Sequence, residues 1–196
     1  HGGAGLKSAA MSEASNHDTR VVEEIRALFR REEYDSVVSR TAKLLRLHDT
    51  DPPTPGSPRV AVASPGPAQV LSYARAAALI HLRKYDDAVA ALAAIAPPMH
   101  PDAASLQVST AATFAQAYAL YSLGKLQDAH RTIIDLRTAH EKNGTGDGPA
   151  KPNPLYRHFE AQVLYRRGMY AEAAEVYSQL LDMQDEHVRE ARAATT

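Results

Sequence analysis

The chain of 196 residues contains no cysteine and no tryptophan. Without thiols there can be no disulfide framework, thiolate zinc site or cysteine nucleophile, and a reducing compartment suits that absence. Neither sign of charge is in excess: 22 Lys and Arg stand against 23 Asp and Glu, a formal net charge of -1. The overall positive field of a dedicated nucleic-acid binder is therefore missing. Long apolar runs are missing too. The longest, Ala88 to Ala96, falls well short of the roughly 20 residues that a membrane helix needs. His1 to Lys7 reads as a tag remnant and Met11 as the native start, so residues 1–17 are set aside from the fold. Met11 to Asp18 holds no apolar stretch, so no secretory leader is expected and the protein is expected to be soluble and cytoplasmic. Phenylalanine numbers only 3, but tyrosine numbers 9, alanine 36, and hydrophobic residues make up 44%. That is enough for a core, and alanine is the best helix former. A close-packed helical protein is the first expectation.

Proline and glycine divide the chain. All 12 prolines fall in three clusters, at Pro52–Pro67, Pro97–Pro101 and Pro149–Pro154. Proline removes an amide donor and clashes with the preceding helical turn, so the clusters leave four blocks able to form helix. Gly124 and Gly168 lie near the middle of the last two blocks and read as helix–turn–helix joints. Aligning the blocks reveals internal repetition. An anchor residue, Tyr34, Tyr85, Leu126 or Tyr170, stands three positions before Val37, Ala88, Ala129 or Ala173. Nine positions before the anchors are Ile25, Ala76, Ala117 and Ala161, and six before are Leu28, Leu79, Leu120 and Leu164. Seven and ten positions after them are Thr41, Leu92, Ile133 and Tyr177, then Leu44, Ile95, Leu136 and Leu180.

This pattern resembles the tetratricopeptide repeat, a helical hairpin of about 34 residues. Small residues let two helices approach closely, and large ones fill the space between hairpins. The resemblance implies an all-α protein, a right-handed α-α superhelix of about four helical hairpins, at about 18–48, 68–96, 107–142 and 154–184. The array would occupy residues 18–185. The polar stretch 186–196 is expected to form a short ninth helix leading into further chain. Asn153 before Pro154 and Asp102 after Pro101 are expected helix caps.

In such a superhelix the first helices line a concave groove. Counting from the small position on each first helix gives the groove side chains. The first hairpin supplies Arg26, Phe29 and Arg30; the second Tyr73, Ala77, Ile80 and His81. The third supplies Phe114, Tyr118 and Tyr121; the fourth His158, Phe159, Gln162, Tyr165 and Arg166. The wall is aromatic in the middle and basic at both ends, and Tyr and Arg are favoured at binding hot spots. Phe114 and Phe159 could equally face the neighbouring hairpin as core, whereas Tyr118, Tyr121 and Tyr165 keep a polar tip suited to a wet surface. It suits an extended or helical peptide with apolar side chains and some acidic groups. The lysine and asparagine clamp with which co-chaperones of this repeat class grip a terminal carboxylate is missing. Its places hold Val22, Arg26, Tyr73, Ala77, Phe114 and Tyr118.

The fourth block carries a narrower resemblance. Gln162-Val163-Leu164-Tyr165-Arg166 is followed by Tyr170, Val176-Tyr177, Leu180 and Asp185-Glu186. The third carries Phe114, Ala117-Tyr118 and Tyr121-Ser122-Leu123. Together they resemble the amino-terminal repeats of the 72-kDa subunit of the eukaryotic signal recognition particle. The similarity runs from Asp18 to Glu186 and is specific in the last two blocks. The insertions Asp51–Pro67 and Gly144–Pro154 depart from the family pattern. The resemblance implies a partner, a carboxy-terminal segment of the 68-kDa subunit, and a role in co-translational targeting to the endoplasmic reticulum. It also implies no direct RNA contact from this region, since the family's lysine-rich RNA-binding part lies further along.

Signals for chemistry are weak. None of the nine histidines has the HExxH or HxxxH spacing that sets two imidazoles on one helical face. Gly144–Gly148 is not followed by the Gly-Lys-Ser/Thr of a phosphate loop and reads as a linker. Asn143-Gly144-Thr145 matches a glycosylation acceptor only formally, and Thr54-Pro55, Ser57-Pro58 and Ser64-Pro65 are possible phosphorylation sites. No enzyme activity, cofactor, metal, membrane or small-molecule substrate is expected. Two other readings stand beside the first: a general scaffold binding an unrelated peptide, and an RNA binder using Arg26, Arg30, Arg83, Lys84, Arg166 and Arg167.

Overall fold

The computed structural model describes residues 19–50, 67–95, 103–142 and 152–193, and all regular structure among them is helical. Helix α1 covers residues 19–30. It is followed by α2 (Tyr34–Thr50), α3 (Pro67–His81), α4 (Tyr85–Ala93), α5 (Ala103–Ser122), α6 (Leu126–Lys142), α7 (Pro154–Arg166) and α8 (Tyr170–Ala193). Residues 185–193 continue α8 rather than forming a ninth helix; no proline or glycine interrupts that stretch. The tag-like start, the insertion before Pro67 with its Ser/Thr-Pro sites, Asp102 and the Gly144–Gly148 run lie outside the described residues.

Four short turns join α1 to α2, α3 to α4, α5 to α6 and α7 to α8, and all four have the same construction. Each second helix begins on its anchor: Tyr34, Tyr85, Leu126 and Tyr170. Two residues earlier the backbone enters the left-handed region, at Glu32 (φ 59), Arg83 (φ 59), Gly124 (φ 78) and Gly168 (φ 79). The next amide donates back to the leucine carbonyl that opens the last helical turn: Glu33 to Leu28, Lys84 to Leu79, Lys125 to Leu120 and Met169 to Leu164, at 2.9–3.0 Å. The left-handed residue itself donates to Phe29, Ile80, Tyr121 or Tyr165 at 3.0–3.1 Å. This paired closure satisfies carbonyls that a helix end otherwise leaves open. Among the described residues, α7 starts on a side-chain cap. Asn153 lies in extended backbone and accepts from the Leu155 amide at 3.0 Å, with Pro154 at the first helical position.

The chain divides into two compact units, one running to Ser109 and the other from Thr110. In the first, α2 packs on α3 and α3 on α4. One core cluster joins Ile25, Val37 and Leu44 of the first hairpin to Leu71 and Ala78 of α3, with Val21, Leu28, Phe29 and Tyr34 around it. Ala76, Leu79, Ala88 and Leu92 are also buried. In the second unit α6 packs on α7 and α7 on α8. Ala161 and Leu164 meet Ala173 and Val176, with Met169 and Tyr177 against them.

The burial repeats from hairpin to hairpin. The small positions Ala76, Ala117 and Ala161 have no exposed surface, nor do Val37, Ala88 and Ala129. A second set is buried as well: Leu71, Ala112 and Tyr156, each five residues before the small position, and Ala78, Ala119 and Val163, each two after it. Leu71 and Ala78 sit in the cluster with the preceding hairpin. Thus α3 packs both on its own partner α4 and on the hairpin before it, and α7 packs likewise on α8 and on α6. Helix α1 buries only Ile25.

Candidate functional site

In the first unit the rings of Phe29 and His81 on the expected wall pack against Tyr34, although His81 stays exposed. Phe29 is half-buried, with its ring edge-on to Tyr34 at 5.8 Å and to His81 at 6.4 Å. The His81 ring stacks flat on Tyr34, with centroids 4.4 Å apart and planes 2° apart. Arg26 is exposed but pairs with Glu23 at 2.6 Å, and Arg30 is exposed. Tyr73, Ala77 and Ile80 of α3 are half-buried.

The second unit holds an aromatic cluster with an open side. Phe159, expected on the wall, is only 4% exposed and belongs to the core. Its ring lies 5.4 Å from Phe114, 6.4 Å from Tyr118 and 5.4 Å from Tyr121, so it binds α7 to α5. The equivalent positions in the two preceding hairpins are Ala74 and Ala115. That spacing marks a helix-facing position and was the signal that could have placed Phe159 inside. Phe114 is half-buried and also touches Tyr156, with centroids 5.9 Å apart. Tyr118 remains 41% exposed and Tyr165 61% exposed. Tyr165 meets the exposed anchor Tyr170 edge-on at 5.2 Å. The Arg166 guanidinium carbon lies 4.5 Å above the half-buried Tyr121 ring, and its Nη1 donates to the Tyr121 carbonyl at 3.1 Å. His158 is exposed, bonded to the half-buried Gln162 at 2.9 Å, with its ring edge-on to Tyr177.

Behind this face runs a polar seam between α6 and α7 that the sequence did not reveal. Glu160 is buried, with Oε2 3.4 Å from Arg137 Nε and 3.8 Å from Arg157 Nη1. Arg137 also reaches Glu141 at 3.5 Å. Arg167 donates to His130 Nδ1 at 2.7 Å and to Gln127 Oε1 at 2.6 Å. Because a guanidinium can only donate, the neutral His130 ring carries its proton on Nε2. Burial, and next the neighbouring Arg167 charge, hold His130 below its ordinary pKa; Glu160 opposes this and Arg137 adds to it. Burial likewise pushes the Tyr156 phenol up. Among the described residues no group of three or more His, Cys, Asp or Glu is placed to hold a metal ion. No described helix is long and apolar enough to cross a membrane.

The described residues define an all-α protein built of repeated helical hairpins. No protein-family model and no curated protein matches the sequence. Among solved structures, the fold is similar to PlcR of Bacillus thuringiensis, crystallised in complex with the peptide PapR7 and DNA. The two chains are 14% identical with a TM-score of 0.54, and the match covers 87% of this chain. This chain spans 56% of the length of PlcR. At that identity the likeness speaks for the fold alone.

Proposed function

We propose that this chain is a peptide-binding module of the tetratricopeptide type, in which the first helices of the second unit, α5 and α7, form a peptide-facing wall. Its closest reading in sequence is the amino-terminal repeat region of the 72-kDa signal recognition particle subunit. The ligand is then a carboxy-terminal segment of the 68-kDa subunit, and the module serves co-translational targeting. The observation that carries the peptide-binding reading is the exposure of Tyr118 and Tyr165 on α5 and α7, where Tyr156 and Phe159 are buried and Phe114 and Tyr121 half-buried. A large aromatic left in water on a rigid helix presents contact area at little entropic cost and has a polar tip suited to a wet surface. PlcR, which shares the fold, was solved with a peptide, and this supports the coarser reading of peptide capture.

Calorimetry with the 68-kDa subunit's carboxy-terminal segment tests the reading. Tyr165→Ala removes an exposed ring that meets the equally exposed Tyr170, so helicity should be unchanged. Binding should weaken by about 2 kcal/mol, roughly thirtyfold in Kd. Tyr121→Ala is a less selective probe, because Tyr121 also packs on Phe159. Equal affinity of wild type and Tyr165→Ala would remove this wall from the site. Failure of the segment to bind, with another peptide binding instead, would favour the general scaffold.

A further inference from the structure

In the last three hairpins the carboxylates are sorted by helix, whereas α1 of the first carries Glu23 and Glu24. Helices α3, α5 and α7 contain between them one carboxylate, Glu160. It is buried and lies between Arg137 and Arg157. Acidic residues are concentrated instead on the second helices: Asp86 and Asp87 on α4, Asp128, Asp135 and Glu141 on α6, and Glu172, Glu175, Asp182, Asp185, Glu186 and Glu190 on α8. In the second unit, therefore, the first-helix surface has no exposed negative group among its described residues. Among the described Lys and Arg residues of α5 and α7, Arg157 lies against Glu160 and Arg166 has no carboxylate partner; Arg167, just beyond α7, is bonded to His130 and Gln127.

Arg166 is also held in place. Its guanidinium lies over Tyr121 and one nitrogen is tied to the Tyr121 carbonyl. A side chain fixed this way loses little freedom when it takes a ligand, and its remaining N–H groups are fitted to a carboxylate. Tyr118 and Tyr121 stand three residues apart on α5, and Gln162 and Arg166 four apart on α7, so each pair shares a helix face. The surface thus offers an anion anchor with exposed tyrosine beside it in sequence, at Tyr165.

From this we infer that Arg166, preorganised on Tyr121, is the anion anchor of the site and selects acidic peptides, in which an Asp or Glu lies close to an apolar residue that packs on Tyr118 or Tyr165. The inference rests on the peptide-binding reading above and specifies its ligand class. A nucleic acid fits less well, because its phosphates need a row of cations. Helix α5 has no Lys or Arg, Arg157 faces Glu160, and Arg167 is tied to His130 and Gln127.

The test is selection from a random twelve-residue peptide library displayed on phage, against the intact chain and its Arg166→Gln and Arg166→Lys variants. Circular dichroism should show the same helicity in all three. Wild type should enrich peptides that combine Asp or Glu with a large apolar residue. Changing those acids to Asn or Gln in a synthetic copy should weaken its binding about tenfold to wild type and less than twofold to Arg166→Gln. Arg166→Lys should restore only part of the difference, because an ammonium lacks the planar fork. Enriched peptides without acids, or an amide effect of equal size in wild type and Arg166→Gln, would overturn the inference and leave peptide binding standing. A library that yields no binder would overturn both. So would tight binding of a 20-nucleotide single-stranded RNA with a steep salt dependence, which would assign the surface to nucleic acid.

Discussion

Glu32 and Arg83 hold backbone angles that ordinary side chains avoid, in turns whose two counterparts use glycine. The left-handed conformation costs a residue with a Cβ about 1 kcal/mol. A Cβ built on Gly124 or Gly168 meets nothing within 4 Å, so only the backbone resists substitution there. Gly168→Ala should therefore lower stability by about 1 kcal/mol, and Arg83→Gly should raise it by a similar or smaller amount. Thermal melts followed by circular dichroism check both. An unchanged melting point in Gly168→Ala would mean that the turn relaxes into another shape. At this scale the sequence was readable where glycine stood. It was silent at Glu32 and Arg83, because nothing in a glutamate or an arginine announces a positive φ. Their positions follow only from counting two residues back from Tyr34 and Tyr85.

Between helices, the matched small residues decide how closely two backbones lie. Ala161 has no exposed surface and packs against Ala173 and Val176. Ala161→Leu would push three more carbons into that contact and should cost about 1–3 kcal/mol. A variant that melts no lower than wild type would mean the contact can open without loss. The seam between α6 and α7 has a pH response of definite sign. His130 is held below its ordinary value of 6.5 by burial first and Arg167 next. The folded chain then binds this proton less readily than the unfolded one, so the stabilisation is complete above about pH 6.5 and declines as pH falls through it. Protonation would also take Nδ1 from Arg167 as an acceptor. Melting points of wild type should therefore fall more between pH 7.5 and 5 than those of His130→Gln; parallel curves would show that the ring titrates freely. Residues packed inside one hairpin, such as Ala76, Leu79 and Ala88, could be read from spacing because their type recurs. Those facing the preceding hairpin could not. Leu71 and Tyr156 occupy one position with different size and polarity, and Glu160 fills its place beside Arg137 across the seam.

For the whole molecule, proline punctuation announced the number of hairpins, and the helices of the described residues follow it. The division between Ser109 and Thr110 had no such mark, since it falls inside α5, which contains neither proline nor glycine. The candidate surface was legible in part. Tyr118, Tyr165 and Arg166 are open to solvent, as is His81 although it stacks on Tyr34, but Phe29 is half-buried against Tyr34 and Phe159 is interior. The difference is physical: helical spacing says which way a side chain leaves its own helix, but not whether a neighbouring ring is already there. The turns lead to one more point. Their closure uses main-chain amides and carbonyls alone, so the bend is independent of the groups that decorate it. Each hairpin can then keep its bend while its sequence drifts, and surface residues are left free to change with each new ligand.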